Sequence, residues 1–347
     1  MLLPVEGERP FAPTDRRVKR VPVDPATLVL DAAGLDVIVA DLLANGGVFT
    51  PRANWLTLDP GPGNADGGSL LESCFTNAEV QQRMSSMATM LRSWIGFQTR
   101  PAAGRSVDTY EPFLSTHDPL GLWERNVLDE DALSQLIDTD LGSIMDLTLI
   151  ASLASPASAP ARILEIGGGY GRLAEAASNV FGDGVRYVLV DSVPASLLYA
   201  RDYLRRACPD RRIGFYYDER SFDIDAFDIS IVPSWRFEEL NTSRYDVCVN
   251  IESFQEMSQE QVDRYLGIFD DVAIPGTLIY VSNAHDYAFR GEWRFPPTWR
   301  RVMCTNTPRS WTRDHPTEIF VKDAVDCRWW NGAVEAAYQW GLTQVQD

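Results

Sequence analysis

The sequence of 347 residues is poor in several features that would each indicate a particular class of protein. No apolar run approaches the roughly 18–20 residues that a membrane-spanning helix needs. Basic residues are few, with 31 Lys and Arg against 49 Asp and Glu, which gives a net charge of −18. A chain of that charge repels phosphate backbones and anionic lipid surfaces, so neither nucleic acid nor a membrane is expected as a partner.

Cysteine is the next scarce feature. The five cysteines are odd in number and widely scattered, and no Cys-x-x-Cys pair occurs. They therefore indicate neither a zinc site nor a disulfide framework. The polar, proline-containing residues 1–20 also lack the apolar core of a secretion signal, so we expect a protein of the reducing cytoplasm.

The composition is otherwise that of an ordinary globular protein, with a change of pattern near the middle. Hydrophobic residues make up 45% and charged residues 23%. Helix-like apolar spacing occurs over residues 25–46, 77–97 and 131–153. Pro156 and Pro160 end that pattern. We therefore predict a mainly helical N-terminal region over residues 1–155, for lid, dimer or acceptor contacts, and a second domain over residues 156–347.

The second region alternates between strand and helix patterns. Strand-like runs occupy residues 162–166, 185–190, 213–217, 228–232, 245–251 and 277–282. Helices are predicted over residues 173–181, 194–207 and 258–273, the last with a Ser258–Gln261 capping box, and a closing helix over 332–340. This alternation predicts a parallel sheet wrapped by helices, with ligands bound at the edge where the strands end. Residues 299–304 and 318–321 predict an added antiparallel hairpin.

A glycine-rich turn after the first predicted strand is the strongest chemical signal. It consists of Gly167, Gly168, Gly169, Tyr170 and Gly171 and is called the glycine turn below. Glycines permit positive φ and let a ligand lie against bare backbone, and the following helix presents unpaired N–H groups. Asp191 comes twenty residues after Gly171, at the end of the second strand. An acid there can accept hydrogen bonds from both ribose hydroxyls, so the segment predicts a nucleoside pocket.

The spacing of the glycines does not by itself identify the nucleoside. Gly169-x-Gly171-x-x-Ala174 also fits a dinucleotide pattern, which leaves NAD open. Glu165, however, precedes the first glycine by two residues. A carboxylate at that point suits the sulfonium and ammonium groups of S-adenosylmethionine and repels a pyrophosphate. The Glu-x-Gly-x-Gly-x-Gly spacing is the first motif of class I methyltransferases, and it favours S-adenosylmethionine.

Three segments together resemble the bacterial sugar O-methyltransferase family, which is class I and S-adenosylmethionine-dependent. They are the glycine turn, Val190-Asp191-Ser192 and the run NIESFQEM at residues 250–257, and the likeness covers residues 160–290. It implies a Rossmann-like α/β sheet, mostly parallel with an antiparallel C-terminal edge. It also implies S-adenosylhomocysteine as the product, and as acceptor a sugar or oligosaccharide hydroxyl, such as a mannoside in glycan biosynthesis.

The resemblance and the motifs together assign the cofactor contacts. The expected residues are Glu165, Gly167, Gly168, Gly169, Tyr170, Gly171, Asp191, Ser192, Ser234, Trp235, Asn250 and Ile251.

Methyl transfer to a hydroxyl also needs a group that removes the acceptor proton, with the acceptor oxygen about 3 Å from the methyl carbon. His285 is the favoured base, because the ordinary pKa of histidine is near neutral, and Glu252 is the second catalytic candidate. Acceptor contacts are expected from Glu256, Asp286, Tyr287, Trp293 and His315, although solvent exposure is the favoured interpretation of His315.

Several alternatives stay open at this point. Some sugar methyltransferases hold Mg²⁺ on acidic side chains, for which Glu252 and Asp286 are available, but Asn283-Ala284 stands where a paired aspartate is usual. A metal is therefore not firmly predicted, and a homodimer is left open. Other functions to be weighed are O-methylation of another small-molecule natural product, an NAD-dependent oxidoreductase, and a binding protein without catalysis.

Overall fold

The structure, a computed structural model, describes residues 21, 23–24, 27–51, 82, 88–89, 91–93, 95, 138–154, 161–241, 243–284, 293–307 and 315–323. The helices are α1 (Ala32–Asn45), α2 (Asp138–Leu153), α3 (Arg172–Phe181), α4 (Pro194–Ala207), α5 (Ser234–Leu240) and α6 (Gln259–Val272). The strands are β1 (Ala161–Ile166), β2 (Val185–Asp191), β3 (Ile213–Phe215), β4 (Ile229–Pro233), β5 (Tyr245–Ile251), β6 (Ala273–Ser282), β7 (Trp299–Asn306) and β8 (Pro316–Lys322). Short 3-10 turns cover Gly47–Phe49, Gly182–Gly184, Tyr216–Asp218, Ile224–Ala226 and Phe254–Glu256.

The strands form one eight-stranded sheet in the order β3-β4-β2-β1-β5-β6-β8-β7. Neighbouring strands from β3 to β6 are parallel, whereas β8 runs antiparallel to both β6 and β7. The architecture confirms the predicted fold class, a mostly parallel, Rossmann-like α/β sheet with an antiparallel C-terminal edge.

The order of the strands creates a crevice beside β1. The chain leaves β1 in one direction, to β2 and then to the edge at β3 and β4, and it returns to β5 on the opposite side of β1. Right-handed crossovers then place α3 and α4 on one face of the sheet and α6 on the other. Where the direction reverses, the carboxyl ends of β1 and β5 diverge, and ligands of such sheets bind at that point.

Local sequence signals account for most element boundaries. Ser258 caps α6, and the reciprocal hydrogen bonds between Ser258 and Gln261 confirm the predicted capping box. Pro194 begins α4, where its missing N–H costs no helical hydrogen bond. The predicted hairpin is present as β7 and β8.

Two predicted elements are shorter in the structure than in the sequence pattern. Helix α1 begins only after Asp31, whose side chain accepts a hydrogen bond from Gly34 N and thereby fixes the start. Strand β3 ends at Phe215, and a 3-10 turn follows it. Within that turn, the hydroxyl group of Tyr217 donates a hydrogen bond to Asp41 of α1. A local cap sets the first boundary, and a contact between distant segments accompanies the second.

The described helices of the N-terminal half share a core with the sheet. Buried side chains of α1, such as Leu35 and Ile38, and of α2, such as Met145 and Ile150, belong to the same apolar cluster as the strands. Helix α1 packs against α4, and α2 packs against α3 and β6. Most of the helix predicted over residues 77–97 and all of the one over 332–340 lie outside the described residues. No helix in the described ranges is long and apolar enough to cross a membrane.

Candidate cofactor and acceptor site

The glycine turn joins β1 to α3 at the crevice, and its backbone requires glycine. Gly167, Gly169 and Gly171 all have positive φ, at 76°, 56° and 94°. A Cβ at Gly167 would clash with the hydroxyl of Ser253, which follows β5. The turn and the residues after β5 are therefore in direct contact across the crevice.

Gly169 differs from its neighbours because its surroundings are open. A Cβ built at this residue meets no atom within 4 Å. Its N–H donates to Asp191 Oδ2 at 2.9 Å. The turn thus has exposed backbone next to a carboxylate. A nucleoside could pack against this backbone and donate hydrogen bonds to the carboxylate.

Asp191 ends β2 and is only 7% exposed. Its Oδ1 accepts from Val193 N at 2.7 Å, and Oδ2 accepts from Gly169 N. Burial raises the pKa of Asp191 to about 6, although these backbone hydrogen bonds act to lower it. Because a carboxylate has about four lone-pair directions, it can still accept from two ligand hydroxyls.

Glu165 lies beneath the glycine turn and is only 5% exposed. Its Oε2 accepts from the Tyr187 hydroxyl at 2.8 Å and would be 2.9 Å from a Cβ at Gly168. Burial, with smaller contributions from the carboxylates of Asp191 and Asp146, raises the pKa of Glu165 to about 7. Tyr187 and Arg172 act in the opposite direction, and burial outweighs them. A cationic ligand above the turn would favour the charged form of this carboxyl.

Three hydroxyl groups form a cluster next to Asp191. Ser192 Oγ donates to Ser234 Oγ at 3.0 Å, and the Tyr265 hydroxyl donates to the same oxygen at 2.7 Å. Ser192 and Tyr265 are themselves 2.8 Å apart. The cluster joins the ends of β2 and β4 to α6, so Ser192 and Ser234 lie at the predicted edge of the sheet.

Trp235 connects this edge to the N-terminal helix. Its indole N–H donates to Asp41 Oδ2 at 2.8 Å, and Tyr217 and Arg236 bind the same carboxylate. These hydrogen bonds, chiefly those from Arg236 and Trp235, lower the pKa of Asp41 to about 2 despite its partial burial. Since the polar atom of Trp235 is used here, a cofactor would meet the face or edge of its ring.

Asn250 holds the two sides of the crevice together. Its amide nitrogen donates to Ile166 O at 2.9 Å and to Ser253 Oγ at 2.5 Å. Its oxygen accepts from Asn283 Nδ2 at 3.0 Å and from Phe254 N at 3.3 Å. The side chain is fully used within the protein, so a cofactor contact from Asn250 would come from its backbone.

Tyr170 and Ile251 have buried side chains. The Tyr170 ring packs edge-on against Tyr203, with the ring centroids 5.0 Å apart. Contacts from either residue to a ligand would likewise come from the backbone.

Glu252 follows β5 directly and has an unusual backbone. Its φ is 57°, in the left-handed region that favours glycine. Its N–H donates to Ser282 O at 2.8 Å, and its Oε1 is 3.2 Å from His315 Nε2. Strained backbone of this kind clusters at functional sites.

His315 is completely buried, which corrects the expectation that it is exposed to solvent. It sits where the chain enters β8, and Ser282 at the end of β6 is its neighbour. The antiparallel pairing of β6 with β8 brings these residues together.

The other predicted site residues fall into two groups. His285, Asp286 and Tyr287 lie outside the described residues. Glu256 is partly buried in the 3-10 turn after β5, and Trp293 packs edge-on against Phe254 with the ring centroids 5.8 Å apart. Across the part of the chain that the structure describes, no group of three or more His, Cys, Asp or Glu side chains could hold a metal ion.

Sequence reasoning missed two participants in the site. Tyr187 points at Glu165 because β1 and β2 are parallel neighbours, and its position within an apolar strand run was the available signal. Asp41 binds Arg236, 195 residues away, and no local pattern indicates that contact.

Comparison with known proteins gives only distant likenesses. No family model and no curated protein matches the sequence. Among solved structures, an O-methyltransferase from Bacillus cereus in complex with SAH is 14% identical, covering 69% of this chain and 100% of that chain, with a TM-score of 0.37. A TehB-like SAM-dependent methyltransferase from Corynebacterium glutamicum is 14% identical over 51% of this chain and 86% of that chain, with a TM-score of 0.36. A methyltransferase from Pyrococcus furiosus is 13% identical over 54% and 84%, with a TM-score of 0.38. Because the likeness is this distant, function is inferred below from the geometry of the site itself.

Proposed function

We propose that this protein is an S-adenosylmethionine-dependent methyltransferase that acts on a hydroxyl group of a sugar or oligosaccharide. One observation carries the proposal: the open backbone at Gly169 lies between two buried carboxyl groups, those of Glu165 and Asp191. Their raised pKa values mean that burial penalises their negative charge. A bound cation offsets that penalty, whereas a pyrophosphate would increase it.

Each group has a part in binding. Asp191 accepts hydrogen bonds from the ribose hydroxyls, and Glu165 provides negative potential beneath the turn. The ring of Trp235 and the hydroxyls of Ser192 and Ser234 line the direction in which the base would lie. These residues are among those expected to contact the cofactor, Ser234 and Trp235 from the family resemblance alone.

When bound, the cofactor would supply its sulfonium methyl group to the acceptor oxygen and would leave as the neutral thioether, and the acceptor proton would pass to a base of the protein. Glu252 is the described candidate for that base, since its carboxylate follows β5 beside the glycine turn and is 21% exposed. His285 is the second candidate, from the sequence alone. The sugar acceptor rests on the resemblance of the sequence motifs, and a hydroxyl of another small natural product is the alternative.

Two measurements test the proposal in sequence. Isothermal titration with S-adenosylhomocysteine and with NAD separates a methyltransferase from an oxidoreductase. Transfer of a labelled methyl group onto a panel of neutral glycans, phenols and polyketide alcohols then identifies the acceptor class. We expect saturable S-adenosylhomocysteine binding and labelled glycans. Binding of NAD alone would overturn the cofactor, and labelling only of phenols would overturn the sugar.

A further inference from the structure

A buried histidine stands behind the candidate base. His315 Nε2 is 3.2 Å from Glu252 Oε1, and His315 Nδ1 is 3.0 Å from Ser282 Oγ. The imidazole ring therefore lies between a carboxylate and a hydroxyl: Nδ1 is hydrogen-bonded to the Ser282 hydroxyl, and Nε2 is within ion-pair distance of the Glu252 carboxylate.

The two members of the pair differ in their access to solvent. The side chain of His315 is 0% exposed, and that of Glu252 is 21% exposed. Only the carboxylate is open to solvent, so an acceptor would touch Glu252 and not His315. A histidine so placed acts through its neighbour.

A chain of hydroxyls fixes the imidazole ring from behind. Ser282 Oγ is 2.7 Å from Thr317 Oγ1, and Thr317 Oγ1 is 2.9 Å from Thr307 Oγ1. Thr307 in turn donates its N–H to His315 O at 3.0 Å. All four residues are fully buried, and they join β6, β7 and β8. Such a connected polar network holds its members in one arrangement.

Glu252 needs this support because its own backbone is strained. A residue with a side chain disfavours the left-handed region, so other contacts must hold it there. One such contact is the hydrogen bond from Glu252 N to Ser282 O, and the other is His315. Both come from the strand ends that the hydroxyl chain connects.

The following residue fixes the location of the pair. Ser253 lies directly against Gly167, and Asn250 binds Ile166 O. Residues before and after Glu252 therefore contact the end of β1 and the first glycine of the turn, which keeps Glu252 close to the glycine turn.

We propose that His315 is a positioning residue that holds the Glu252 carboxylate toward the acceptor hydroxyl. The role rests on the proposed methyl transfer. The contact of Nε2 with Glu252 Oε1, at 3.2 Å, holds the carboxylate, and the carboxylate receives the acceptor proton. Loss of that contact lets the carboxylate turn away without altering the nucleoside pocket.

Matched substitutions separate positioning from structure. His315→Asn removes the donor at the Nε2 position, whereas His315→Gln retains an amide N–H at that distance. We expect His315→Asn to lower kcat by about tenfold or more, with KM for the acceptor and S-adenosylhomocysteine affinity within about twofold of wild type. His315→Gln should recover a clear part of kcat. Glu318→Gln, on the same strand but paired with Arg301, is the control and should leave kcat unchanged.

A double substitution tests whether the two side chains act as one unit. If His315 works only through Glu252, His315→Asn should cost little more in a Glu252→Gln background. The positioning role would be overturned if the fold losses in kcat of the two single substitutions multiply in the double variant. It would also be overturned if His315→Asn has the same kcat as wild type. If His315→Asn fails to fold, Ser282→Ala carries the test, because it removes the hydroxyl that holds Nδ1 and leaves the imidazole in place, and full kcat in that variant would overturn the role.

If the wild-type chain binds S-adenosylhomocysteine and methylates a glycan while His315→Asn or, where that variant fails to fold, Ser282→Ala is fully active, only the positioning role is overturned. A wild-type chain that binds no S-adenosylhomocysteine sinks the proposed function and the positioning role together.

Discussion

A partly buried acid of α1 and two buried acids of the sheet have opposite electrostatic settings. Asp41 is paired with Arg236 and also accepts from Trp235 and Tyr217, and its pKa falls to about 2. Asp191 accepts from backbone N–H groups and Glu165 from a tyrosine hydroxyl, and their pKa values rise to about 6 and about 7. The two settings lie at the ends of neighbouring strands.

The difference shows what each set of acids does. At Asp41 the protein supplies its own guanidinium, so the charge is stabilised and the contact ties α1 to α5. At the glycine turn burial outweighs the neighbouring donors, and the carboxyl groups gain most when a cation arrives from outside. The first arrangement contributes to stability, whereas the second, under the proposed function, lowers stability in favour of binding.

Asp41→Asn should have the largest effect on stability. It leaves Arg236 facing a neutral amide in a largely buried position, and we expect the free energy of unfolding at neutral pH to fall by about 2 kcal/mol. Denaturant unfolding measures the change. Asp183→Asn is the matched control, because Asp183 is paired with Arg211 but is fully exposed. Equal effects of the two substitutions would contradict the contrast drawn above.

Asp191→Asn should act on binding instead. It removes the charge that accepts the ribose hydroxyls, and we expect the Kd for S-adenosylhomocysteine to rise about tenfold or somewhat more, which corresponds to about 1.5 kcal/mol. Calorimetric titration measures it, with the exposed Asp210→Asn as the control. An unchanged Kd would remove Asp191 from the ribose.

Gly169 and Gly47 have nearly the same backbone conformation, so the effects of Gly169→Ala and Gly47→Ala can be compared directly. Both glycines have φ near 50–56°, and a Cβ at either meets nothing within 4 Å. Each substitution should cost about 1 kcal/mol of stability from the left-handed backbone alone. Only Gly169→Ala should also weaken S-adenosylhomocysteine binding, because its methyl group occupies the space next to the exposed backbone. Equal affinities in the two variants would argue against a ligand at the turn.

Glu165→Gln should raise the free energy of unfolding at high pH, whereas Asp41→Asn should lower it. The folded pKa of Glu165, about 7, exceeds the ordinary value of 4.5, so the folded protein holds this proton over that interval. The contribution of protonated Glu165 to the free energy of unfolding is therefore present at low pH, and it is lost as the pH rises from about 4.5 to 7. Glutamine keeps an acceptor for Tyr187 and should raise the stability of the empty protein at pH 8 by about 1 kcal/mol.

Thermal unfolding of both proteins at several pH values measures that change. The same variant should bind S-adenosylmethionine more weakly at pH 8. Lower stability together with unchanged affinity would show that Glu165 is a purely structural group.

Local patterns in the sequence predicted the parts of the site that local patterns control. The glycine turn, the capping box at Ser258 and the C-terminal hairpin each depend on residues close together in the chain, and the structure contains all three. The fold class followed from the alternation of strands and helices.

The remaining features depend on contacts between distant residues. His315 is buried because β8 inserts beside β6, and the sequence alone gave no reason to pair it with Glu252, 63 residues earlier. The raised pKa values of Glu165 and Asp191 come from burial, which a pattern of residue types does not measure. The sequence indicated which residues take part, and the three-dimensional packing determined their charge states and partners.

Competitive titration of the wild-type protein with S-adenosylmethionine and NAD at pH 8 is the most direct test of the electrostatic account. We predict saturable binding of S-adenosylmethionine and its displacement by S-adenosylhomocysteine, with no displacement by NAD at the same concentrations. Tight binding of NAD, with no binding of the sulfonium nucleoside, would contradict the claim that the two carboxyl groups select a cation.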